Sequence, residues 1–116
     1  MCSAWTGRYV KDMIAVAVDI TRFVSEAFPG FVECALVDAA GKLHSFVEKV
    51  PVVTRESLGP DSSYPCKGAI AVQVQTEFRD HSDRLLARID TSMPWGVEST
   101  SGETIFTVLS SALTRS

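Results

Sequence analysis

The sequence predicts a small all-β domain, an antiparallel barrel or sandwich of about six strands with a short helical turn at its end. Three observations lead there. Apolar residues recur at every second position over most of the chain, and turn-forming clusters of Pro, Gly, Asp and Ser interrupt them at short intervals. No strand-like segment is followed by a helical pattern long enough to cross over to a parallel neighbour.

With 116 residues, 46% hydrophobic and 22% charged, the chain fits one domain able to bury a core. Residues 1–11 follow no clear period and are expected to be an accessory arm; the β-rich domain is expected over 12–116. The stretch 12–27 has two periods. Val10, Ile14, Ala17, Val24 and Phe28 fit one helical face, whereas Ile14, Val16, Val18 and Ile20 alternate with Ala15, Ala17, Asp19 and Thr21. Its β-branched content favours the strand, because such side chains lose rotamer freedom in a helix and pack well on a pleat.

Pro29-Gly30 marks a turn. Val32, Cys34 and Leu36 then share one face of a second strand, and Asp38-Ala39-Ala40-Gly41-Lys42 has the chemistry of a tight hairpin. The returning strand, 42–50, carries His44 and Phe46 on one face; Pro51 ends it, with Val52 and Val53 expected to resume pairing. Residues 54–67 form a long loop rich in Gly, Pro and Ser, of a kind more often functional than average. Alternation returns over 70–78, the polar run 79–84 makes a turn, and 85–90 alternates again. A polar segment, 91–102, holds Pro94, Trp95 and Gly96; the last strand is expected over 103–109, before a tail at 110–116.

Fourteen acidic against eleven basic residues give a formal net charge of −3, and the cations are scattered or interleaved with Asp. A nucleic-acid partner is disfavoured, since phosphate binding needs clustered Lys and Arg. The apolar run 13–18 is cut off by Asp19, too short for a membrane span or a good signal peptide. Three cysteines without short spacing form neither a disulfide framework nor a zinc site, and Cys34 reads as a small buried hydrophobe. A cytoplasmic protein is expected.

Trp95 is the most informative residue. Tryptophan on a loop of small and polar groups either presents rigid contact area to a partner or folds back to complete the core. Tyr64 carries the same two readings, and the pair would rim one site if both faced the same end. Asp90, Glu98 and Glu103 border the Trp95 loop; they serve as acid and base if burial separates their pKa values, or they simply bond nearby hydroxyls. His44 is either half-buried or presents a nitrogen from the sheet surface, and His81 sits in a charged turn. Cys66, beside Lys67, is either a thiol made reactive by the cation or an incidental one. Ser, His and Asp lack any nucleophile-elbow context, and there is no phosphate loop, no Cys-x-x-Cys and no calcium-loop spacing. No metal or cofactor is implied.

Residues 31–53 (FVECALVDAAGKLHSFVEKVPVV) and 94–106 (PWGVESTSGETIF) resemble stretches of small, uncharacterised bacterial β-rich proteins. That resemblance implies a β-rich domain with 1–11 as an accessory arm, and attaches no activity. The leading expectation is a non-enzymatic binding module whose site joins the 54–67 and 91–102 loops, with Trp95, Tyr64, Glu98, Cys66 and His44 as its residues. Its partner is expected to be a protein rather than a small molecule, for example a toxin whose basic active site a small acidic protein would cover. The rivals are a small hydrolase or lyase using Glu98, Glu103, Asp90 or His44, and a structural subunit or homo-oligomer pairing through a sheet edge.

Overall fold

A computed structural model describes residues 13–115. The expected arm, 1–11, lies outside them. The described chain is mainly antiparallel sheet: β1 (Ile14–Ser25), β2 (Phe31–Val37), β3 (Leu43–Lys49), a one-turn helix α1 (Val50–Val53), β4 (Cys66–Arg79), β5 (Leu85–Asp90), β6 (Ile105–Leu109), a 3-10 turn (Ser110–Ala112) and β7 (Leu113–Arg115). The strands run β3-β2-β1-β4-β5-β6, and the sheet curls into a half-barrel. The tail expected after the last strand adds a seventh strand, because the 3-10 turn carries the chain from β6 to β7, which pairs with Ile14–Val16 of β1.

Period two decides what is buried. Val16, Val18 and Ile20 point inward from β1, Val32, Cys34 and Leu36 from β2, and Ile70 and Val72 from β4. With Phe46, Ile89, Phe106 and Val108 they form one core. Removing each large aliphatic or aromatic side chain from water contributes about 1.5–3 kcal/mol. The ambiguous stretch is strand, and β1 is long enough to pair with β2 through its second half and β4 through its first.

Residues 50–53 form α1 rather than resuming a strand. Pro51 cannot donate to a ladder but is tolerated in a first helical turn, where N–H groups lack partners anyway. Val50 N–H donates to Gly30 and Thr54 N–H to Val50, while Val50 and Val53 enter the core. α1 packs directly over Gly68: a Cβ there would lie 2.8 Å from Ile20 and 2.9 Å from the Val53 carbonyl oxygen.

Three five-residue turns repeat one pattern. In 38–42 and 80–84 the first residue is Asp, whose backbone pairs with the fifth residue and whose Oδ1 accepts from the N–H of the third and fifth. In 99–103 Ser99 takes the role, its Oγ accepting from Glu103 N–H. The fourth residue has positive φ each time, at Gly41, Asp83 and Gly102.

The free edges of β3 and β6 face each other across the opening of the half-barrel. Ala39 N–H donates to Thr107 on β6, Thr100 N–H to Ser45 on β3, and Arg84 reaches the Ala39 carbonyl. Phe106 meets His44 and Phe46 edge-on, with ring centroids 4.7 and 5.6 Å apart.

Candidate functional site

The 91–104 segment is anchored at its base and open at its tip. Thr91 and Val97 are fully buried, and the Thr91 hydroxyl donates to the Val97 carbonyl at 2.7 Å. Thr91 N–H donates to Thr104 and Val97 N–H to Thr91. Asp90 accepts both the N–H and the hydroxyl of Ser92, which hold its carboxyl below the ordinary aspartate range. Gly96 N–H closes the turn on Ser92. Val97 therefore fills the core position, and Trp95 stands outside, 60% exposed, near an exposed Met93.

Trp95 lines a groove of about 450 Å³. Its floor comes from the outer face of the β1–β4 pair, where Ala15 lies opposite Ala71 in register and Ala17 opposite Ala69; Ala15, Ala69 and Ala71 line it. Pro51, Val52 and Val53 of α1 line it too, with Thr54, Arg55 and Met13. Alanine leaves the strand backbone close to whatever enters. A second groove, which includes Pro29 and Leu58, shares Pro51, Thr54 and Arg55 with the first. Next to Pro29 stands Phe28, 94% exposed, an aromatic that sequence reasoning spent on a helical period.

Tyr64 is not among the residues lining either groove. It is half-buried against the core, and its hydroxyl donates to the Gly59 carbonyl at 2.7 Å, closing the loop on itself. Glu98 is exposed and makes no hydrogen bond or ion pair among the described residues.

His44 is buried on the inner face of β3. Its Nε2 lies 2.8 Å from Asp38 Oδ2 and its Nδ1 3.5 Å from Glu103 Oε1. Burial acts to raise the Asp38 carboxyl, but bonds from His44, Lys42 and Ala40 outweigh it, and the group sits below its ordinary value. Asp38 was no site candidate in the sequence; the only signal for it was its place in the hairpin turn. The Nε2 contact to Asp38 is the hydrogen bond of the trio, and the Nδ1 contact to Glu103 is a longer charge pairing at the half-exposed rim. Chemically the trio is a pin holding the hairpin to the 99–103 turn. His81 is exposed in its turn.

Cys34 and Cys66 both pair with Ile20, from opposite sides of β1. They are two strand spacings apart, about 9–10 Å, beyond the Cα separation a disulfide allows. Burial, with smaller contributions from Glu48, Cys66 and Glu33, pushes the Cys34 thiol up to about 12. Glu48 faces inward at the end of β3, and burial raises its carboxyl above the usual range. Among the described residues no group of His, Cys, Asp or Glu is arranged to hold a metal ion, and no helix is long and apolar enough to cross a membrane.

No protein-family model matches the chain, and neither a curated protein nor a solved structure matches it significantly.

Proposed function

We propose that this protein is a non-enzymatic binding module that docks a partner protein on the surface around Trp95. The observation that carries the reading is Trp95 itself: a tryptophan 60% exposed on a turn pinned by buried Thr91 and Val97, beside an apolar groove. A backbone anchored before binding leaves only the two side-chain torsions of the indole to order when a partner covers it. Two grooves sharing Pro51, Thr54 and Arg55, with Phe28 beside one and Trp95 in the other, suit a protein surface better than a small molecule, which is usually enclosed in one concave pocket. Tyr64 supports the loop rather than the contact.

The test compares wild type with Trp95→Ala and Phe28→Ala in capture from native lysate. One partner is expected to be retained by wild type and lost by Trp95→Ala, with the melting temperatures of all three chains within a few degrees. Retention of the same partners by Trp95→Ala overturns the reading. A wild-type chain whose mass in light scattering doubles with concentration makes the partner a second copy.

A further inference from the structure

We infer that the partner segment seated at Trp95 is basic, presenting an arginine to the indole and to Glu98. The inference rests on the binding-module reading and adds the chemistry of the ligand.

Residues 89–113 contain no Lys or Arg, while they carry Asp90, Glu98 and Glu103. Two of these carboxylates are committed: Asp90 holds Ser92, and Glu103 leans on His44. Glu98 is exposed and unpaired among the described residues, three positions beyond Trp95. Three residues span at most about 11 Å of chain, which bounds the separation of the two Cα atoms, and both side chains are exposed, so one extended basic segment can meet both. An exposed indole face attracts a cation through its quadrupole, and a planar guanidinium stacks on it better than an ammonium. A nearby carboxylate adds charge pairing and steers approach, as does the −3 net charge of the whole chain. The one charged residue lining the groove, Arg55, is already engaged within the chain. Alanines on the groove floor leave room for the apolar neighbours of an arginine in an extended segment.

The probe is an end-capped octapeptide of alternating arginine and valine, compared with lysine–valine, glutamate–valine and arginine–serine peptides. Each is titrated into the isotope-labelled full chain, and shifts of the Trp95 indole and of the 92–98 amides are followed. The arginine–valine peptide is expected to move these signals, with affinity roughly tenfold lower for Trp95→Ala and roughly threefold lower for Glu98→Gln. The lysine and serine peptides should bind more weakly, and added salt should weaken the arginine peptide. Trp95→Phe, which keeps an aromatic face, should fall between wild type and Trp95→Ala and covers the case in which alanine unfolds the loop. Equal or tighter binding of the glutamate peptide overturns the inference while leaving the docking surface in place. No movement at Trp95 with any of the four also overturns it, and the capture experiment above then decides separately whether the broader reading stands.

Discussion

Asp83 occupies the left-handed position of its turn with φ 64°, where Gly41 and Gly102 occupy the same position of the sister turns. A side chain there crowds the following carbonyl, which Asp tolerates better than most residues but not as well as glycine. Its carboxylate sits 3.8 Å from Arg79 across exposed surface, a pair worth little, and the firmer bond is from Arg79 to the Asp83 backbone carbonyl, which any residue supplies. Asp83→Gly should therefore stabilise the fold by about 0.5 kcal/mol, the relieved strain exceeding the added flexibility of the unfolded chain. Chemical denaturation of the two chains measures it, and a lower midpoint for Asp83→Gly contradicts the account. Side-chain identity also shows what sequence alone conveys at this scale. That Trp95 had two homes was legible; which one it took was not, because the choice depends on Val97 reaching the core first. His44 had two readings likewise, and its burial is supported by the Asp38 bond to Nε2, with Glu103 beside Nδ1 from a different turn.

Strands were legible wherever one face is wet. β2 and β3 alternate cleanly, β4 and β5 break the alternation in burial at Ala71 and Ala87, and the turns carry Asp and Gly where the backbone needs them. The third turn, 99–103, passed as featureless polar chain because Ser99 replaces Asp, although its Oγ makes the same bond to the fifth residue. α1 was missed for a different reason: Val-Pro-Val-Val has low helix propensity, and the packing of Val50 and Val53 onto the core holds it, with the backbone bonds to Gly30 and from Thr54. That packing depends on Gly68. A methyl group there meets the Val53 carbonyl oxygen at 2.9 Å, a backbone atom that cannot swing aside, and Ile20 at 2.8 Å. Gly68→Ala should cost about 1–3 kcal/mol by overpacking and push α1 outward. Because α1 lines the Trp95 groove, the same substitution should weaken partner capture more than a remote change of equal cost. Melting curves and capture by Gly68→Ala, set against such a remote variant, measure both effects. Unchanged stability would show that β4 and α1 separate at no cost.

At the scale of the whole molecule, the seam that closes the half-barrel includes one carboxylate, Asp38, held below its ordinary value. The seam between β3 and β6 uses two backbone hydrogen bonds, the Phe106 ring and the Asp38–His44–Glu103 pin, and neither edge alone reveals in sequence that it meets the other. Asp38, Asp80 and Asp90 all sit below the ordinary aspartate value in the folded chain. The unfolded chain then takes up protons first as pH falls, so these groups stabilise the fold above the ordinary aspartate range, and that contribution disappears as pH falls through their lowered values. Glu48 acts in the opposite sense. Its folded pKa is raised by burial, so its ionised form costs stability at neutral pH, and the cost is relieved as pH falls through the raised value. Two variants separate these effects. Asp38→Asn keeps the shape of the side chain but not its charge, and should lower stability at pH 7 while flattening the acid limb below pH 4. Glu48→Gln should raise stability at pH 7 and lose that advantage as pH falls through the raised value of the wild-type carboxyl. Urea midpoints from pH 3 to 8 measure both. If Asp38→Asn leaves the acid limb as steep as wild type, the seam is held by its backbone bonds and aromatic contacts, and the pin adds nothing to it that pH can remove.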